Sequence, residues 1–239
     1  MFIMTAIKFD KGVYVMFSNA IFALWGLCGY LIGSIPFGLL LCLIFGYGDI
    51  RKSGSGNIGA TNVLRVSKSK MLALLTIIFD ASKAGIIAYI AMKIVSPKPA
   101  VFCGIVTQLN ILVALISGTM AILGHNFPIW LKFKGGKGVA SSFGLILAVA
   151  PLTALSALAI WIVAAVIFRY SSLAAIIAAL SAPLISFFAN DLIYTVFIAF
   201  LALLLLIRHR ANFTRLLKGE ESKISFSKDK PKKNNKSKK

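Results

Sequence analysis

Long apolar stretches alternate with short polar ones along this chain, and the alternation predicts helices that cross a membrane. Crossing about 30 Å of hydrocarbon takes roughly 20 apolar residues in a helix. Residues 22–45, 71–94 and 100–124 each reach that length, and between 139 and 207 only Arg169 and Asp191 are ionisable. Three breaks divide this last region: Pro151, the group from Arg169 to Ser172, and the pair Asn190-Asp191. They predict four further short spans. The expected fold is therefore an all-α polytopic membrane protein with seven transmembrane helices. Pro36 falls inside the first run and predicts a kink, because proline cannot continue the helical hydrogen-bond ladder. Gly29 and Gly33 form a small-xxx-small pair suited to close helix contact.

The positions of the cations orient these spans. Arg51, Lys52, Arg65, Lys68 and Lys70 fall in the first polar loop, Lys132, Lys134 and Lys137 in the third, and twelve more lie from Arg208 onward. The N-terminal segment and the second loop hold only Lys8, Lys11, Lys93 and Lys98. Basic loops face the cytoplasm. The third loop and the tail share a side only if an even number of spans separates them, which four satisfies. The N-terminus is then expected outside, with the first loop, the third loop and the C-terminus in the cytoplasm. The N-terminal apolar run is too long for a signal-peptide core and is expected to remain as the first span. One membrane-embedded domain is expected over residues 1–224, with 1–20 as an extension. A disordered, lysine-rich cytoplasmic tail is expected at 225–239.

Composition narrows the function classes. Hydrophobic residues make up 59% of the 239 and charged residues only 14%, with a mean hydropathy of +0.88. A water-soluble fold could not cover such a core. The net charge of +19 accordingly reads as membrane orientation and attraction to anionic lipid rather than as a nucleic-acid surface. Cys28, Cys42 and Cys103 all sit in apolar runs without metal-ligand spacing, and packing roles are expected for them.

Three polar clusters fall on the expected cytoplasmic side. The first is "RKSGSGNIGATNVLR", residues 51–65. Gly54, Gly56 and Gly59 allow backbone N–H groups to approach a ligand, Ser55, Asn57, Thr61 and Asn62 add neutral groups, and Arg51 and Arg65 offer planar forks for phosphate. The same residue types also make ordinary turns. The second is "GHNFPIWLKFKGGKGVASS", residues 124–142, where Lys134 and Lys137 flank Gly135 and Gly136, with Gly138 following. A helix starting near Val139 would add free N–H groups and a positive dipole end. The spacing is not that of a Walker A loop. His125 reads equally as a buried interfacial histidine or as a ligand. The third is "RHRANFTRLLKGEESK", residues 208–223, with His209 and Asn212 on one helix face and Arg208, Arg215 and Lys218 close by. Together the clusters describe an anion site at the cytoplasmic interface. Asp80 and Lys83, three apart inside the second span, read as a structural ion pair or as a functional one.

In order along the chain, "GSIPFG", "GSGNIGATNVLR", "GHNFP…FKGGKGVA" and "HRANFTRLLKGEESK" resemble the motifs of the bacterial acyl-phosphate:glycerol-3-phosphate acyltransferase family, PlsY. The resemblance extends from about Leu31 to Lys223. It implies a seven-span enzyme of the bacterial inner membrane with its active site at the cytoplasmic face. The reaction it implies moves a fatty acyl group from acyl phosphate to the 1-hydroxyl of sn-glycerol 3-phosphate. The product is lysophosphatidic acid, the first acylated intermediate of phospholipid synthesis. By motif, Ser55, Arg65, Lys137, His209 and Asn212 are implied to be catalytic. Gly54, Gly56, Asn57, Asn62, Lys134, Gly135, Gly136, Gly138 and Ser172 are implied to bind substrate. Glu221, at the third position of G-x-E-x-K, is implied to hold a loop, and Asp80 and Lys83 match D-x-x-K-G with Ala84 in place of the glycine. Ala175 stands where the family has a hydroxyl residue.

An acyl phosphate is already activated, so positioning and charge stabilisation suffice without a protein nucleophile. Neither His125 nor His209 is followed at the right spacing by the aspartate of a His-x4-Asp base. Direct transfer is expected: Arg65, Lys137 and His209 hold phosphate oxygens, while Asn212 and Ser55 place the acceptor hydroxyl. The expected partners are glycerol 3-phosphate, acyl phosphate and membrane lipid, with no nucleic acid, cofactor or metal. The competing reading is a transporter of a phosphorylated solute, which would need polar groups threaded through the bundle.

Overall fold

The computed structural model describes residues 19–224, so the expected extension at 1–20 (but for its last two residues) and the tail at 225–239 lie outside the described residues. Ten helices and one hairpin follow in order: α1 Asn19–Gly33, α2 Phe37–Ile44, α3 Ala60–Ser67, α4 Lys70–Ile94, β1 Pro99–Phe102, β2 Ile105–Gln108, α5 Leu109–Asn126, α6 Val139–Val149, α7 Pro151–Phe168, α8 Ser171–Ala189, α9 Leu192–Arg208 and α10 Arg210–Leu217. Among the described residues, five stretches are long and apolar enough to cross a membrane, and α9 with α10, bent by 56°, makes a sixth. The expected break points recur as helix boundaries. Pro151 opens α7 at a position where its missing N–H costs nothing, and Arg169 closes that helix in the left-handed region (φ 62°). The fourth expected span corresponds to α6, whose 11 residues fall well short of the length a crossing needs.

The third expected span, 100–124, is corrected at its start. Residues 99–108 form an antiparallel hairpin, with Phe102 opposite Ile105. Val101, Ile105, Val106 and Thr107 favour the extended chain. Cys103 and Gly104 both take positive φ (50° and 80°), the geometry a two-residue hairpin turn requires. Cys103 is consequently exposed at the tip, which overturns the packing role expected for it. Cys42 is buried and Cys28 half-buried, as expected.

Helices meet through small residues. A side-chain carbon at Gly29 or Gly33 would collide with the backbone of Ser117 or Ala121, so α1 lies directly against α5. One at Gly144 would strike the Ala81 carbonyl, which brings α6 equally close to α4. The core around α5 contains Leu112, Val113, Ala114, Leu115, Ile122 and Leu145. By contrast, α7 and α8 turn Val163, Ile167, Leu184 and Phe188 outward, the last 79% exposed. Helices that are apolar on the outside face lipid rather than water.

Pro36 separates α1 from α2 instead of merely bending one helix. The carbonyl of Ile35 at this break accepts a hydrogen bond from Lys83 Nζ at 3.0 Å. Lys83 also pairs with Asp80 at 2.9 Å, both side chains almost fully enclosed. The pair is thus a buried tie between α4 and the break in the first span.

Candidate active site

Each polar cluster reaches the same end of the bundle, and side-chain contacts join them there. In the first, Asn62 is buried and fastens the loop: its Nδ2 donates to the carbonyls of Ile50 (2.9 Å), Ser53 (3.2 Å) and Asn57 (2.8 Å), while Oδ1 accepts from Ser55 N–H at 2.8 Å. Asn57 likewise caps the turn by accepting from Gly59 N–H at 2.8 Å. The side-chain amides expected to face a ligand therefore hold the loop in shape. Gly54 takes φ 62° and lies so close to Asn62 that a side chain there would clash; Gly56 takes φ 69°. The Ser55 side chain is exposed at the loop's rim. Arg51, offered by the sequence as a second phosphate fork, is engaged by Asp49 (Nη2 to Oδ2, 2.7 Å). Arg65 projects from α3, and its Nη2 donates to Ser222 Oγ at 2.6 Å.

The glycine loop before α6 is built differently from a cradle of free amides. Gly136 N–H donates to the His125 carbonyl (3.0 Å) and Gly135 N–H to that of Asn126 (3.2 Å). Arg208 clamps the loop from the other side, donating to the Gly135 carbonyl at 3.0 Å and to that of Gly136 at 2.8 Å. Its guanidinium also lies 5.0 Å from the centre of the Phe127 ring. The expected role of the Gly135 and Gly136 amides is corrected accordingly: the chain itself occupies them. The N–H groups of Lys137, Gly138, Val139 and Ala140 have no partner among the described residues, because they are the last loop positions and the first turn of α6. Gly138, at φ 83°, supplies the left-handed turn that starts this helix. Lys134 is exposed beside the loop.

At the bend between α9 and α10, His209 is buried and its Nδ1 hydrogen-bonds the Leu205 carbonyl at 2.9 Å. With Nδ1–H donating there, Nε2 of the neutral ring is left as an acceptor. Asn212 follows on the same face and is a relay: Oδ1 accepts from Lys137 Nζ at 2.5 Å, and Nδ2 donates to Glu221 Oε1 at 2.7 Å. Glu221 is the hub of the C-terminal strap. Its Oε1 also accepts from Ser172 Oγ (2.7 Å), and its Oε2 pairs with Arg215 Nε (2.7 Å). Both of its oxygens are therefore occupied by donors. Beyond it, Ile224 N–H donates to the Arg169 carbonyl at 2.6 Å, so the strap runs from α10 to the start of α8.

Arg65, Arg208 and Arg215 are all near enough to Lys137 to disfavour its charge, against the single carboxylate of Glu221 that favours it. Burial, with these three cations, pulls the Lys137 ammonium down to about 8. Burial opposes charge on Glu221, but the donors Ser172, Asn212 and Arg215 outweigh it and keep the carboxyl below its usual range. The result is a pocket end with surplus positive charge and unpaired helix N–H groups, suited to phosphate dianions. In the sequence Arg208 stands only as a cation close to His209 and Asn212, and Ser222 carries no expected role. Their partners are backbone or side-chain atoms up to 157 residues away, so no local pattern reveals them.

The sequence pattern of the glycerol-3-phosphate acyltransferase family matches residues 23–219. A glycerol-3-phosphate acyltransferase of Rhodospirillum rubrum is 50% identical over 202 residues, covering 84% of this chain and 90% of that one. One from Caulobacter vibrioides is 48% identical over 201 residues, covering 84% and 86%. Two crystal structures of PlsY (YgiH), described as an integral membrane glycerol 3-phosphate acyltransferase, superpose on the fold. The glycerol 3-phosphate form gives a TM-score of 0.75 at 36% identity, covering 85% of this chain and 96% of the other. The lysophosphatidic acid form gives 0.74 at 35%, covering 85% and 95%. With the matched region spanning all but the last residues of the clusters just described, this chain belongs to the glycerol-3-phosphate acyltransferase family and is an acyltransferase.

Proposed function

We propose that the protein transfers a fatty acyl group from acyl phosphate to the 1-hydroxyl of sn-glycerol 3-phosphate, releasing phosphate and lysophosphatidic acid. The observation that carries this reading is the junction of Arg65, Lys137, Asn212 and Glu221, where three segments distant in sequence converge around surplus positive charge. In the transfer, the acceptor oxygen bonds to the acyl carbon, the carbon–oxygen bond to phosphate breaks, and the hydroxyl proton leaves with the departing phosphate. Lys137, Arg65 and the free N–H groups at the start of α6 stabilise charge on that phosphate, while Asn212 and Ser55 orient the acceptor. With Nδ1–H given to the Leu205 carbonyl, Nε2 of the neutral His209 ring only accepts, so it is assigned to a hydroxyl of glycerol 3-phosphate in place of the phosphate oxygen expected for it. Glu221 already binds three donors, which supports a mechanism without a carboxylate base.

Purified protein given palmitoyl phosphate and glycerol 3-phosphate should form lysophosphatidate, with EDTA present. Palmitoyl-CoA should give less than about one hundredth of that rate, because a thiolate gains little from donors arranged for phosphate. Comparable turnover of the thioester would overturn the donor assignment. A transporter of phosphorylated solutes is disfavoured by the spans themselves, whose buried charges Asp80 and Lys83 are paired with one another.

We also propose the orientation inferred from charge: seven membrane-embedded segments, α6 among them, an outside N-terminus, and the site at the cytoplasmic face of the inner membrane. The α4–α5 hairpin lies at the end of the bundle opposite the site, and its exposed Cys103 provides a native probe. An impermeant maleimide added to intact spheroplasts should label Cys103, whereas a cysteine placed at Ser222 should react only after the membrane is permeabilised. The reverse pattern would refute the orientation.

A further inference from the structure

Behind the glycine loop lies a buried polar group that the transfer reaction does not use. Lys83 Nζ is 2.8 Å from His125 Nδ1, and Asp80 Oδ1 is 3.5 Å from the same nitrogen. His125 is only 5% exposed. As an ammonium can only donate, the lysine contact makes Nδ1 the acceptor and puts the ring proton on Nε2. Nε2 is the atom that a side-chain carbon at Gly136 would run into; the rest of the imidazole edge follows close behind it. The same histidine accepts the Gly136 N–H through its carbonyl. Loop residue 136 is therefore held at its backbone by His125 and pressed from below by the His125 ring.

We propose that His125 is a positioning residue for the phosphate-binding loop. Its ring is a wedge under Gly136, locked by the Asp80–Lys83 pair, and it sets where Lys137 and the first N–H groups of α6 stand. This rests on the functional reading above. It assigns the absence of a side chain at 136 to the wedge, and not to a phosphate that must approach the glycine. Lys83 extends the lock to the Pro36 break through the Ile35 carbonyl, so the floor of the loop is tied to α1, α2 and α4 together. A displaced ring would shift Lys137 against Asn212 and weaken phosphate binding, while the chemistry of any substrate that does bind would proceed.

A double-mutant cycle on KM for glycerol 3-phosphate tests this, read alongside kcat and detergent-solution Tm. Gly136→Ala should raise KM about tenfold with kcat kept within about threefold. His125→Ala alone should raise KM about threefold. In Gly136→Ala/His125→Ala, the methyl enters the space the ring has vacated, and KM should fall below that of Gly136→Ala. A double variant with KM equal to or above that of Gly136→Ala would mean that the methyl blocks phosphate directly, and the wedge would be refuted. Should His125→Ala not fold, His125→Asn keeps an acceptor for Lys83 with a smaller side chain and serves in the same cycle. Asp80→Asn/Lys83→Met removes both buried charges without stranding either. It should reproduce the KM rise of His125→Ala with kcat retained, and an unchanged KM would remove the pair from the proposal. Turnover by the unmodified protein is scored separately, so failure of the acyltransfer reading is distinguishable from failure of the wedge.

Discussion

Lys137→Met is expected to lower kcat/KM by about 10³, the largest effect of any single substitution at the site. Removing one preorganised charge from a water-poor pocket costs on this order when the charge acts in the transition state. Methionine keeps the length and apolar stem, so the glycine loop and α6 should remain in place and Tm should change little. Wild-type enzyme should carry the signature of the same group in its pH profile. Burial and neighbouring cations bring Lys137 down to about 8, so the ammonium is present below that pH and lost above it. The profile of kcat/KM should therefore fall as pH rises through about 8, reporting the free enzyme. Bound phosphate favours the ammonium, so kcat should hold to higher pH than kcat/KM. In Lys137→Met the alkaline limb should vanish. A loss under about tenfold, or a persistent alkaline limb, would remove Lys137 from the role of phosphate ligand.

Arg65→Lys should cost about 10² in kcat/KM although it conserves charge. The guanidinium presents several donors in one plane, so it can keep Ser222 at 2.6 Å and still offer an edge to a phosphate. A lysine has one rotating ammonium, and serving the strap leaves the phosphate with less. Steady-state assays at fixed pH check this, and near-normal Arg65→Lys would limit the arginine to membrane orientation. Ser222→Ala separates the two duties: it frees Arg65 from the strap without touching its charge, and should leave kcat/KM within a few-fold of wild type.

Much of the fold is legible in the sequence because its interruptions are chemical. Pro151 lacks the donor a helix needs, and Asn190-Asp191 places polar groups where lipid would be, so each ends a helix whatever packs around it. The hairpin at 99–108 was not legible in the same way. A run with Val101, Ile105 and Val106 has the hydropathy of a helical span, and hydropathy alone does not separate a short strand from the first turns of a helix. The Cys103-Gly104 pair, a plausible turn with a glycine second, was the available signal. At the site, Arg65, Lys137, Asn212 and Glu221 stand in recognisable motifs, and the structure brings them together. The duties of Asn62, Arg208 and His125 were hidden because they bind main-chain atoms or each other's neighbours across the fold. A glycine-rich stretch advertises close approach, but not what does the approaching; at Gly136 it is an imidazole.

The shortness of α6 leaves a step at the end of the bundle that carries the polar clusters. At 1.5 Å per residue its 11 residues rise about 16 Å, while the 18 of α7 rise about 27 Å. Both helices leave the turn around Ala150, so α6 rises about 10 Å less than α7 before it reaches its own loop. The long side chain of Lys137, then Asn212, then Glu221 bridge that step up to Ser172. On the proposed orientation and reaction, acyl transfer would take place in a dent between taller helices. The proposed donor would then slide in sideways with its hydrocarbon still among lipid tails, and only the small water-soluble acceptor would have to descend.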